Sequence, residues 1–259
     1  MAAVGGFFFE TYYLGIRTTR RWLRVPSNWI SILFFPLIQL LVFSQLYQEI
    51  IQLPAFGEQT SYLAYLAPGQ VAFTAFMAVA WAGYGLIIEY RSGYLDKLRA
   101  NPIHRWSILA GEMVPLFFQA AAMAGILLVV SALLGATIVT GLGGFLLILA
   151  LSGLFGVCLS GASFIPALLT KSEQATSTFS LLLFPIVFMS TAFVPVALMP
   201  GWMQVINQWN PMTYLIEAIR SLMVVGYDWN AIWAALISMG ILGVILQIAT
   251  LWAFRRLGL

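Results

Sequence analysis

Residues 89–106 read EYRSGYLDKLRANPIHRW and lie between two long apolar runs. The segment holds Glu89, Arg91, Asp96, Lys97, Arg99 and Arg105, with Glu112 just beyond, in a chain of which only 8% is charged. An Arg, Lys or Asp at the middle of a bilayer costs about 2.5–3.5 kcal/mol on insertion scales. These side chains are therefore expected to face water, cytoplasm or a partner protein. The runs on either side are expected to cross the membrane.

Composition supports this division. Hydrophobic residues make up 61% of the 259 positions, and the mean hydropathy is +0.94. Soluble domains are about 45–50% apolar and about 25% charged, so too little polar material is present to cover a water-exposed surface. The net charge of +3 is carried by residues that flank apolar spans. They form no continuous basic face, so nucleic acid is not an expected partner. The single cysteine, Cys158, reads as a small buried hydrophobe. Residues Met1 to Phe9 have no positive n-region, so no cleaved signal is expected and the first apolar run should remain as a span.

Taken in order, residues 7–25 read as an amphipathic helix lying on the membrane. Arg17, Arg20, Arg21 and Arg24 recur at i, i+3, i+4 and i+7, one helical face suited to lipid phosphate. A frayed tail with positive-inside charges is the alternative. Six spans follow, at about 28–48, 62–88, 106–134, 142–169, 176–193 and 229–254, each near the roughly 20 residues that a hydrocarbon core requires. Pro26 should end the first helix, Pro36 should kink the first span, and Pro68-Gly69 should break the second near its start. Residues 194–225, punctuated by Pro195, Pro200-Gly201 and Asn210-Pro211, are too interrupted for one crossing. Two short helices re-entering one leaflet fit them better. Eleven of the twelve Lys and Arg residues then fall on the side of the termini and of residues 89–103, with Arg220 alone opposite. The positive-inside rule makes that side cytoplasmic. The expected fold is an all-α integral membrane protein, a single domain over residues 1–259.

Catalytic signatures are missing. No phosphate-binding glycine loop, hydrolase elbow or metal-ligand motif occurs, so no catalytic residue, metal or cofactor is assigned to this chain. His104, beside Pro102, reads as a polar residue at the interface. The middles of the spans offer Gln39, Gln119 and Gln247 rather than the buried charges of an ion-coupled carrier. Phe34, Phe35, Gln39, Phe43, Phe73, Phe76, Phe184 and Phe188 are candidates for a substrate pathway, or else core and lipid-facing filler. Arg220, with Glu217 one turn earlier, could line an extracellular gate or form a snorkelling interfacial pair.

Three stretches resemble the permease subunits of the second ABC exporter class, which includes daunorubicin-resistance, nodulation and capsule permeases. Glu89, Gly93, Leu95, Leu98 and Pro102 match that family's Glu-x-x-x-Gly-x-Leu-x-x-Leu-x-x-x-Pro pattern, with departures at Arg91, Ser92 and Tyr94. In FPIVFMSTAFVPVALMPGWMQVINQWNPMTYLIEAIR, residues 184–220, the match runs through Pro185, Ser190, Phe193, Pro195, Pro200, Asn210, Pro211 and Arg220. The arginine-rich helix before the first span is the third. The resemblance implies a permease without its own ATPase site, working as a dimer or with a similar permease. Each permease would meet a separate ATP-binding subunit, two in all, holding ATP and Mg. Residues 89–103 would be the coupling helix seated in that subunit, with Glu89, Arg91, Gly93, Leu95, Asp96, Leu98, Arg99 and Pro102 in contact. The expected substrate is an amphipathic drug or lipid, moved out across the plasma (inner) membrane. A polysaccharide or glycolipid exporter is the alternative, and an ion-coupled secondary carrier is a more distant one.

Overall fold

The computed structural model describes residues 2–56, 61–94, 97 and 105–256, and the described regular structure is entirely helical. Helix α1 covers Ala2–Leu23 and α2 covers Pro26–Leu46. Pro26 stands at the first position of α2, where its missing N–H breaks no hydrogen bond. Helices α3 (Tyr62–Ala80) and α4 (Ala82–Arg91) follow, then α5 (Arg105–Leu133) and α6 (Gly141–Thr170). Helix α7 (Glu173–Leu182) is followed by a single helical turn, Phe184–Phe188. Helices α8 (Gly201–Gln208), α9 (Pro211–Arg220) and α10 (Trp229–Arg256) complete the chain.

Among the described residues, five helical stretches are long and apolar enough to cross a membrane: Trp29–Leu46, Tyr62–Arg91, Trp106–Leu133, Gly141–Thr170 and Trp229–Arg256. The stretch expected as a span at 176–193 is not one helix. It stops at Leu182 and resumes for one turn, because Pro185 has no N–H to give and disfavours helix in the residue before it. Asn210 caps α9 by accepting the Met212 amide at 3.0 Å, so the expected break at Asn210-Pro211 occurs there.

The break expected at Pro68-Gly69 does not occur. Helix α3 runs through Pro68. In the turn and a half before it the hydroxyls of Tyr62 and Tyr65 donate to the carbonyls of Phe193 and Thr191 at 3.0 and 3.1 Å, tying this part of the helix to the segment after Phe188. The discontinuity falls instead at Trp81. There the Ala80 carbonyl accepts from the Ser180 hydroxyl at 2.5 Å, and the Gly83 amide donates to Ser163 Oγ at 2.9 Å. Side chains of α7 and α6 thus satisfy the backbone groups freed by the break. Gly83 is required by the contact: a Cβ there would stand 2.2 Å from the Ser163 carbonyl oxygen.

Helix α1 docks along the first half of α5. Ser107 donates to Glu10 at 2.7 Å and Thr18 to Glu112 at 2.8 Å. Between them the missing side chain of Gly111 lets Leu14 approach, since a Cβ there would lie 2.5 Å from Leu14 Cβ. The opposite side of α1 shows Phe8, Phe9, Tyr12 and Tyr13 to the exterior. The core lies between α3, α5 and α6, around Phe73, Phe76, Met123, Leu127 and Phe155.

Candidate functional site

The end of α4 is held from two sides. Glu89 accepts from Arg21 at 2.7 Å and forms an ion pair with Arg17 at 3.0 Å; its side chain is 3% exposed, those of Arg17 and Arg21 39% and 41%. The four-residue spacing stacks the two arginines one turn apart on α1. Glu89 is therefore not the water-facing or partner-facing carboxylate expected from its neighbourhood. A buried anion needs a charged or hydrogen-bonded counterpart, and α1 supplies it within this chain. Arg17 also lies 3.7 Å over the Tyr94 ring. Burial raises the Tyr94 hydroxyl pKa above its ordinary value, against the opposing pull of Arg17.

On the other flank, Arg91 pairs with Glu173 at 2.6 Å, and the Tyr84 hydroxyl donates to the second oxygen of that carboxylate at 2.6 Å. Glu173 opens α7, so one short helix is tied to α1 and to α7 together. Beyond it, Gly93 turns the chain with φ +69°, a conformation that side-chain-bearing residues adopt at a cost. Leu95, Asp96, Leu98, Arg99 and Pro102, along with His104, lie outside the described residues. Of the arginines expected at lipid phosphate, Arg20 and Arg24 are exposed while Arg17 and Arg21 turn to Glu89. All four border a shallow cavity of about 440 Å³.

A larger cavity of about 760 Å³ opens between α1, α2, the α3–α4 joint, α5, α6 and α7. Glu112, Leu116 and Gln119 face it from α5 at i, i+4 and i+7. Trp22, Trp81 and Tyr84 supply rings, and Ala78, Ala82 and Gly85 leave space. None of the aromatic pathway candidates borders it. Phe73 and Phe76 are fully buried in the core. They belong to a chain of ring contacts running from Phe35 to Phe73, through Phe184 to Phe188 and Phe193, and on to Phe43, with centroids 5.7–6.2 Å apart apart from Phe184–Phe188 at 6.5 Å. Gln39 is buried near this level with its Oε1 unpartnered, and Phe34 is exposed away from the ring chain. Sequence reasoning thus found rings that come together but missed the cavity, whose marker is Glu112 seven residues before Gln119.

At the opposite end of the Tyr62–Arg91 stretch, Arg220 forms a second ionic cluster. It pairs with Glu217, donates to the Thr191 carbonyl at 2.8 Å and lies 4.1 Å from the Tyr65 ring centroid. Thr191 Oγ1 donates to Glu217 at 2.7 Å. With its side chain 9% exposed, Arg220 is buried rather than snorkelling. Asn210 donates to the Ile186 carbonyl at 2.6 Å, fastening the start of α9 to the turn after α7. Pro195 and Pro200 bracket the short turn Val196–Leu198 that leads into α8.

Five apolar helical stretches, an amphipathic first helix and a clamped short helix leading into a charged segment define a multi-pass membrane protein of helical type. The model of the ABC-2 type transporter family matches residues 10–224. The chain belongs to that family. It is 30% identical over 202 residues to the daunorubicin resistance ABC transporter permease protein DrrB1 of Streptomyces coeruleorubidus, covering 76% of this chain and 69% of that one. A putative transport permease, ycf38 of Cyanophora paradoxa, is 29% identical over 85% of this chain and 77% of its own. The probable multidrug ABC transporter permease YbhR of Escherichia coli K12 is 25% identical over 58% of this chain and 41% of its own. The protein is accordingly an ABC transporter permease, a multi-pass membrane subunit that associates with ABC ATP-binding subunits.

Proposed function

We propose that this permease exports an amphipathic drug or lipid-like substrate, driven by ATP and Mg bound in two partner ATPase subunits, one on each of two paired permeases. The pair is a dimer of this chain or of this chain and a similar one. The observation that carries the reading is the double clamp on α4, with Glu89 tied to Arg17 and Arg21 and Arg91 tied to Glu173. A segment gripped by an ATPase at residues 89–103 would not move alone. It would draw α1 and α7 with it and bend the second span at Trp81, where the helix is already interrupted.

In this reading the broken stretch 176–193 is the fifth of six crossings, and residues 194–225 re-enter the outer leaflet. Residues 7–25 form the interface helix, with the termini and residues 89–103 cytoplasmic, in the plasma (inner) membrane. Leu95, Asp96, Leu98, Arg99 and Pro102 contact the ATPase, whereas Glu89 and Arg91 pass its motion inward. The phenylalanine chain lies on the substrate pathway. Pro195, Pro200, Asn210, Pro211, Glu217 and Arg220 keep its outer end shut until the clamp moves. The relatives named for daunorubicin resistance and multidrug transport support the drug-like choice.

The test is reconstitution of the permease in liposomes with its ATPase. ATP-dependent export and substrate-stimulated hydrolysis are expected, with drug-like amphipaths more active than glycolipids or glycans across a panel. Export by the permease in liposomes that lack the ATPase would overturn the reading.

A further inference from the structure

The 760 Å³ cavity has a size suited to a small organic ligand. Its walls are mostly carbon, with two charged side chains: Arg21, which is already paired with Glu89, and Glu112, which faces it from inside an apolar helix. Among the described residues the hydrogen-bond partner of Glu112 is a neutral hydroxyl, Thr18 Oγ1 at 2.8 Å, and no Arg or Lys stands within ion-pair distance of it. The nearby cations are already engaged: Arg17 and Arg21 both bond Glu89. Trp22, Trp81 and Tyr84 add ring faces and edges to the same wall. A carboxyl group without an ion-pair partner among the described residues, lining the same apolar chamber as three aromatic rings, can accept the charge of an organic cation whose hydrophobic body the chamber would hold.

We propose that this cavity is a binding site for an amphipathic organic cation, with Glu112 receiving the charge and Trp22, Trp81 and Tyr84 the body. The site deepens the exporter reading by naming the charge sign of the ligand, and it rests on that reading only for what happens after binding. It lies within one chain, apart from the phenylalanine series, and is bordered by both the docked α1 and the joint at Trp81. Movement of the clamped α4 would therefore change its shape. Two sources could supply such a cation: a lipid ammonium headgroup or a drug-like amphipath.

The experiment uses the full-length permease in nanodiscs and two probes of the same shape and opposite charge, tetraphenylphosphonium and tetraphenylborate. Binding is read from tryptophan fluorescence, after subtraction of probe uptake into empty discs. The phosphonium should bind at least about tenfold more tightly than the borate. Glu112→Gln should abolish that preference, and Gly85→Leu should weaken both probes. The leucine has room to enter the cavity, because the only neighbour within 4 Å of a Cβ at Gly85 is the Arg21 guanidinium at 3.5 Å. A phosphonium affinity that falls when phosphatidylethanolamine replaces an uncharged glycolipid, at a fixed phosphatidylglycerol content that holds the surface potential constant, assigns the resident cation to lipid. An unchanged affinity assigns it to the drug-like source. Equal binding of the two probes, or a preference unaltered in both variants, overturns the proposal. Binding that persists without any ATP-driven export keeps the cation site and removes the exporter reading; export with no binding here does the reverse.

Discussion

The two ionic clusters sit at opposite ends of one interrupted helix and are built differently. At the Glu89 end a nearly inaccessible carboxylate is met by two arginines that are themselves about two-fifths exposed, beside a break in the span and a large cavity. At the Arg220 end the guanidinium is buried, is bonded to a carboxylate and a carbonyl, and packs against Tyr65. The first arrangement can exchange partners with water as helices shift. The second is its inverse in sign: the buried member is the cation and its partner Glu217 is 44% exposed, so each cluster holds one charge whose desolvation is expensive. In the proposed function the α4 end, beside the break at Trp81, moves, and the α9 end, where Arg220 is tied to Glu217, Thr191 and Tyr65, stays closed.

The largest effect that could break this contrast comes from Arg220→Met. It removes the cation that Glu217 pairs with and leaves the Thr191 carbonyl without that donor. Glu217 is 44% exposed and can recover hydration, so the loss comes mainly from the unpaired Thr191 carbonyl and the lost packing on Tyr65, about 1–3 kcal/mol, read as a lower thermal transition of the purified protein and poorer recovery from membranes. Glu89→Gln should cost less, about 1–2 kcal/mol, because Arg17 and Arg21 can recover hydration at their exposed faces. Its mark is functional instead: ATP-driven transport should fall while insertion and folding persist. Equal losses of stability in the two variants would remove the distinction between a closing cluster and a moving one. Next in size is Gly93→Ala, which forces a side chain into positive φ at a cost of about 1 kcal/mol. Among the described residues a Cβ there meets no atom within 4 Å, so the expected cost is that of backbone strain. Coupling between ATP hydrolysis and transport should weaken, as measured by the ratio of the two rates.

Much of the helical order could be read from the apolar runs and their punctuation. Hydrophobic length located the long helices, and Pro26 and Asn210-Pro211 marked real boundaries because the missing proline N–H and the asparagine cap act locally. The joint at Trp81 could not be read in this way. Its freed carbonyl and amide are satisfied by Ser180 and Ser163, residues 100 and 80 positions away, while Pro68, the stronger local signal, is overridden by tertiary ties. Glu89 misled for a related reason. Its density of charged neighbours suggested water, but the four-residue rhythm of Arg17 and Arg21 on a distant helix decided its burial. Glu112 was visible as an acid entering a span, yet its cavity arises only when six elements pack together.

The smallest predicted effect sharpens the contrast most at the level of mechanism. Arg91 and Glu173 form an exposed pair: their side chains are 58% and 32% accessible, so a double-mutant cycle of Arg91→Ala and Glu173→Ala should yield a coupling energy of only about 0.2–1 kcal/mol for stability. Such a bond would hardly be kept for folding. If it transmits motion from α4 to α7, the same cycle in ATP-driven transport should be strongly non-additive, each single variant causing nearly the whole loss. Additive transport losses would confine the moving connection to α1 and Glu89. A non-additive result, with stability almost untouched, would extend it to the helix that begins the interrupted fifth stretch.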